Sequence, residues 1–255
     1  MEGIRVSGVI ARTGKLRLPV PRELLEELPG RTILKAQRRG KYLLLRTDQG
    51  SVILHLGMSG HLRIVPSAAP PGKHDHLDII LASGVTLRFT DPRRFGLALW
   101  TCEDPLSHPL LEGLGPEPLE DLFNGDYLFH TSRNRTLAVK QFIMESHVVA
   151  GVGNIYANEA LFRAGIHPLR SAGAISRGLY TRLAQAIRDV LSEAIDLGGT
   201  TLGDFQGSGG KPGYFSLRSD VYGRGGEPCP RCGAAIQATR QGGRATYFCK
   251  VCQRR

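Results

Sequence analysis

The 255-residue chain has no apolar run near the roughly 20 residues a helix needs to cross a bilayer. Its opening, MEGIRVSGVIARTG, also lacks the apolar stretch of a secretory signal. The expectation is an intracellular, cytoplasmic protein without membrane association. Cysteine is scarce over most of the chain. Cys102 stands alone in LALWTC, where it suits a small buried hydrophobe, and the other four fall within the last 27 residues. Acids are in short supply as well: 23 Asp and Glu face 33 Lys and Arg, a net charge of +10. Such an excess suits a polyanionic partner, because cations that neutralise phosphates release condensed counterions. A generally basic proteome gives the same balance. No internal repeat is present.

What the sequence does contain divides by periodicity. Over the first hundred residues, TILKAQ, KYLLLRT, SVILHLG, HLRIV, HLDIILA and VTLRFT are short β-branched or Leu-rich runs. The turn signals RRG, DQG, MSG, PPG and ASG separate them. Evenly spaced strands of this kind predict a sandwich or barrel, interrupted by one short helix over residues 21–28. From about Leu119 the period becomes helical. Helices are expected over 136–149 and 154–164, joined by GVG, and a third is capped by Ser176 and ended by Gly198 and Gly199. Two helices on a Gly-rich turn suit a helix–turn–helix unit that offers backbone amides to phosphate, and equally an ordinary helical hairpin. Residues 200–219, rich in Gly and Ser, read as a loop.

Cys229, Cys232, Cys249 and Cys252 form C-x2-C-x16-C-x2-C. Two such knuckles give four thiolates to one tetrahedral Zn²⁺ at about 2.3 Å each, with no open position for catalysis. The expected cofactor is therefore one structural zinc, holding a segment too small for its own core. A β-hairpin turning at Gln241-Gly242-Gly243 lies between the knuckles, with Arg240 and Arg244 near its tip and Lys250, Arg254 and Arg255 around the second knuckle.

The runs RRGKYLLL, HLGMSGHLRI, PPGKHDHLDI, TDPRRFG, LGPEPL, VVAGVGNIYANEALFRAGIHPLR, GGTTLGDF, GKPGYF, VYGRGGEPC and GGRATYFC resemble, in order, those of formamidopyrimidine-DNA glycosylases. The endonuclease-VIII-like glycosylases, which act on oxidised pyrimidines, share the architecture, but KPGYF, HDH and GVGNIYANE favour the formamidopyrimidine branch. The resemblance implies an α+β chain. A β-rich sandwich occupies 1–115, a helical helix–two-turn–helix domain with a lesion loop 116–220, and a four-cysteine zinc finger 221–255. It implies a bifunctional, monomeric repair enzyme on damaged double-stranded DNA. Oxidised purines such as 8-oxoguanine and formamidopyrimidines are removed, and the abasic strand is cut by β,δ-elimination.

The resemblance also assigns roles. Met58, Arg94 and Phe95 match a wedge that fills the hole left by an extruded base. By residue type alone, Met58 and Phe95 are more often core residues. Lys41 matches a lysine assisting catalysis near the lesion, and Arg244 a zinc-hairpin arginine that grips phosphate and stabilises the elimination step. His74, Arg135 and Asn154 match DNA contacts, Lys140 suits one more phosphate, and the loop 200–219 matches a segment that closes over the flipped base.

Family members begin with a proline, whose amine forms a Schiff base with the sugar, followed by a glutamate that assists acid–base steps. The present sequence has no counterpart of that start, and Glu2 is not a substitute, because its neighbours differ. A misplaced start is the expectation, ahead of a shortened gene product. Two other functions stay open here: a damaged-DNA-binding protein without catalysis, and a zinc ribbon serving protein contacts alone.

Overall fold

A computed structural model describes residues 1–198 and 219–254. Two compact units make it up, Met1–Glu112 and a second beginning at Gly113.

The first unit is a sandwich of two antiparallel four-stranded sheets. One sheet runs β1–β6–β7–β5, from strands Val6–Ala11, Asp75–Leu81, Val85–Thr90 and His61–Pro66. The other runs β2–β3–β4–β8, from Ile33–Arg39, Tyr42–Thr47, Gly50–His55 and Leu97–Thr101. Alternation decides which face each side chain takes. Leu77, Ile79, Leu87 and Phe89 turn inward and meet Leu45, Val52, Leu54 and Ala98 of the opposite sheet, with Leu24 of helix α1 (Arg22–Glu26) closing the core.

On the outer face of β6 and β7, Asp78 stands in register with Arg88, and its carboxylate takes two bonds from that guanidinium, at 2.8 and 2.9 Å. Burial pushes the Asp78 carboxyl up, but the bonds from Arg88 and Arg12 outweigh it and hold it below its ordinary value.

The six expected strands form. Two more, β1 and β8, were not expected. In β1 a bulge between Val6 and Gly8 breaks the register. Because β8 ends at Thr101, Cys102 falls beyond the sheet. It is exposed rather than buried, and it donates to the Glu27 carboxylate that also accepts from Trp100 Nε1.

The second unit contains helices α2 (Gly125–Ser132), α3 (Val139–Met144), α4 (Asn154–Ala164) and α5 (Arg177–Asp196). Ser176 Oγ caps α5, as expected, and Tyr180, Leu183, Ile187 and Val190 line its buried face. Gly165, at φ 72°, ends α4. The helix expected over 136–149 shrinks to α3. After Glu145 the chain turns so that Val148 and Val149 enter the core, and an added Cβ at Gly115 comes within 2.6 Å of Val148. The helix ends because Glu145 is extended, at φ −71° and ψ 119°. The hairpin of β9 (Gln237–Gln241) and β10 (Arg244–Phe248) completes this unit, turning through Gly242 and Gly243 at φ 54° and 73°.

Candidate nucleic-acid interface and metal centre

In the first unit, Met58 and Phe95 lie on loops whose backbones touch. Met58 occupies the tight turn after β4, closed by Gly60 N–H donating to Leu56 O. Gly57, at φ +66°, lets the turn approach the other loop so closely that an added Cβ would lie 2.5 Å from Phe95 C. Met58 is 66% exposed and Phe95 46%. Neither is a core residue. Arg94 holds φ 55°, a left-handed conformation rare for a non-glycine residue, and Arg93 stacks its guanidinium 4.9 Å from the Phe95 ring. Arg93 was missed in the sequence.

His74 immediately precedes β6, and its carbonyl accepts from Asp91 N. The loop before it is pinned from below: Arg88 donates to Ala69 O and Pro70 O, and the Asp75 carboxylate accepts from Gly72 N and Thr90 Oγ1. Lys41 lies exposed at the turn between β2 and β3. Burial, then the charges of Arg17 and Lys41, push His55 down to about 4, so its imidazole is neutral at physiological pH.

In the second unit, Asn154 opens α4, whose first amides have no side-chain cap. Arg135 lies 3.5 Å from the Glu145 carboxylate, with its guanidinium over the Phe142 ring. Arg244 is exposed at the first position of β10, beside the glycine turn. Between α3 and this turn lies a cleft of about 240 Å³, lined by Lys140, Gln141, Glu145 and Arg244 among others.

Lys140 is not on the surface. It is 1% exposed, and its ammonium donates to Ala245 O at 2.9 Å and Thr246 Oγ1 at 2.7 Å. Burial, with repulsion from Arg244, pulls it down to about 8. In this structure it braces the hairpin.

Two neighbours on α4 went unnoticed in the sequence. Asn158 Oδ1 accepts from Tyr247 N on β10, while the Glu159 carboxylate accepts from Asp220, Val221 and Tyr222 N. The loop expected to close over a flipped base falls, apart from Ser219, outside the described residues.

The four cysteine sulfurs lie within 4.8 Å of one another. Cys229 Sγ is 3.9 Å from Cys252 Sγ, and Cys232 Sγ is 3.5 Å from Cys249 Sγ. Four sulfurs at about 2.3 Å around one tetrahedral Zn²⁺ are separated by about 3.8 Å, so this donor set fits the ion. Gln253 fixes the second knuckle, accepting from Cys249 N and donating to Ile166 O.

Three sequence-family profiles match along the chain. They are the formamidopyrimidine-DNA glycosylase N-terminal domain over residues 1–98, its H2TH domain over 114–206, and a zinc finger found in FPG and IleRS over 226–255. The formamidopyrimidine-DNA glycosylase of Geotalea uraniireducens is 59% identical over 99% of this chain and 93% of its own length. That of Nitrosococcus oceani is 57% identical over the same shares. Among solved structures, the MutM (Fpg) protein of Thermus thermophilus has a TM-score of 0.88 and 37% identity, covering 99% of this chain and 92% of that one. Lactococcus lactis Fpg in complex with abasic-site DNA has a TM-score of 0.91 and 35% identity, covering 100% and 94%.

Proposed function

The chain belongs to the formamidopyrimidine-DNA glycosylase family, and on that premise we propose that it works in base-excision repair as a DNA glycosylase and abasic-site lyase. Its substrate is duplex DNA carrying oxidised purines, 8-oxoguanine and formamidopyrimidines, and the abasic strand is then cut by β,δ-elimination. The observation that carries this reading is the pairing of exposed Met58 and Phe95 on touching glycine-rich loops. Two apolar side chains held in water beside arginines suit insertion into a base stack.

Met58 and Phe95 enter the space left by the extruded base, and Arg94 hydrogen-bonds the orphaned partner base. His74, Arg135 and Asn154 grip phosphates, with the uncapped amides of α4 adding donors. Lys41 serves the reaction near the lesion. Arg244 holds phosphate and stabilises charge in the elimination step as a permanent cation. Lys140, expected to hold phosphate, instead sets where Arg244 stands. Zinc supplies folding stability through Cys229, Cys232, Cys249 and Cys252 and takes no part in the chemistry. The functional modules are 1–115, 116–220 and 221–255, acting as a monomer in the cytoplasm at the nucleoid.

The family's Pro-Glu start has no counterpart in these 255 residues, which makes amine chemistry the property to test. Borohydride trapping on a duplex with 8-oxoguanine opposite cytosine, and on an abasic duplex, tests this. A covalent adduct would mean that another amine, that of Met1 or Lys41, takes the proline's part in forming the imine, and the enzyme reading stands for these 255 residues. Tight, salt-sensitive binding without an adduct would reduce the reading to damaged-DNA recognition. Absence of both would overturn it.

A further inference from the structure

We propose that Asp91 is a positioning residue that holds three DNA-facing loops of the first unit in mutual register, an inference that rests on the function proposed above. Asp91 is 0% exposed, and among the described residues no lysine or arginine pairs with its carboxylate. Its four polar atoms together reach three segments. Oδ1 accepts from Ser59 Oγ at 2.8 Å, and Ser59 directly follows Met58. Oδ2 accepts from Gly96 N at 2.7 Å, and Gly96 directly follows Phe95. Its backbone N donates to His74 O at 3.0 Å, while its carbonyl accepts from Arg94 N at 3.2 Å and faces His76 Nε2 at 3.0 Å. Ser59 Oγ in turn accepts from Arg93 N at 3.3 Å, so the two wedge loops are also joined through the hydroxyl.

A buried carboxylate satisfied by a hydroxyl and an amide is costly to desolvate, and a sandwich core gains nothing from it. Its use is geometric. Directional bonds to charged oxygens fix distances that apolar contact leaves soft, and insertion into a base stack tolerates little displacement. Gly96 adds to the fit, since a Cβ there would lie 2.4 Å from Phe89 Cζ and 3.1 Å from Asp91 Oδ2. Without the carboxylate, Ser59 Oγ and Gly96 N lose their shared anchor, and Met58 and Phe95 lose their common frame, while the Asp91 backbone still holds His74.

The test uses the 255-residue chain, duplexes with and without a non-cleavable tetrahydrofuran abasic analogue, and 2-aminopurine opposite the analogue to report wedge insertion. Asp91→Ala is expected to bind intact duplex as the native chain does and to lose about tenfold of its preference for the abasic duplex. The 2-aminopurine signal is expected to fall with it, and the loss should be non-additive with Met58→Ala. Asp91→Asn should keep most of the preference, because its amide can still accept from Gly96 N while the Ser59 hydroxyl turns to accept. Hydrogen exchange should quicken at residues 56–60 and 92–96 and stay unchanged at 72–76, which the Asp91 backbone holds, and in β3, β4 and β7. If Asp91→Ala unfolds the sheets, Ser59→Ala replaces it, with the same but smaller changes expected. Full preference and unchanged loop exchange in the variant tested would overturn the proposal. A native chain with no preference for the abasic duplex would instead overturn the functional reading, and the exchange pattern would still decide the role of Asp91.

Discussion

Lys140 and Asn154 meet at one atom: both donate to the carbonyl oxygen of Ala245, at 2.9 and 3.1 Å. Ala245 follows Arg244, and the next two residues are held as well, Thr246 by Lys140 and Tyr247 by Asn158. Side chains of α3 and α4 therefore brace the strand directly after Arg244.

Lys140 makes stability depend on pH in an uncommon direction. Its ammonium is pulled from 10.5 to about 8, so between those values the unfolded chain binds more protons than the folded one. Stability contributed by this group rises as pH rises through that window, by at most about 3 kcal/mol. Urea unfolding across the window should show the rise in the native chain and its loss in Lys140→Met. Equal slopes in the two proteins would disprove it.

Exposure separates the proposed wedge from the core. Met58→Ala and Phe95→Ala should each change folding stability by no more than about 0.5 kcal/mol, as for ordinary surface positions. Both should nonetheless weaken binding to an abasic duplex. Gly57→Ala should do both kinds of damage, at about 1–3 kcal/mol, because its Cβ meets the Phe95 backbone and its φ is left-handed. Thermal melts paired with duplex titrations would show whether the two effects divide this way.

Removing zinc should unfold the hairpin and spare the helices. The metal end has a small core of Phe162, Val221, Cys229, Ile236 and Cys249, separate from the large helical cluster. Elemental analysis should find one zinc per chain, and Cys232→Ser should abolish it. Helical circular dichroism should survive while DNA binding falls; a global loss of helix would refute the division.

Glu159→Gln should loosen the segment after Ser219. The buried carboxylate accepts three successive amides, and a carboxamide offers one oxygen where two are used. The expected cost is about 1–3 kcal/mol, visible as faster exchange at residues 220–222. Unchanged exchange there would mean the bonds are incidental.

Legibility in the sequence followed the distance over which information had to travel. Short β-branched or Leu-rich runs between turn signals gave β2 to β7, and the cysteine spacing gave the metal centre, because both patterns are local. Strand β1 was hidden by its bulge at Gly8, and α2 by its mixed eight residues, GDYLFHTS. Lys140 looked like a surface cation because its partners lie 105 and 106 residues away. The meeting of Ser59, Asp91 and Gly96 was equally invisible, since it depends on how two loops fold over one strand end.

Around Met58 and Phe95 the ordinary stratification of a protein is inverted: the oily groups lie outermost, and the charged carboxylate of Asp91 lies beneath them. Such a patch is at odds with water in the free protein and relieved by any flat aromatic surface that covers it. Intact duplex keeps its stacked faces to itself, whereas a gap in the stack uncovers two. On the proposed wedge role, the inversion makes a missing neighbour, rather than any particular base, what these two side chains detect.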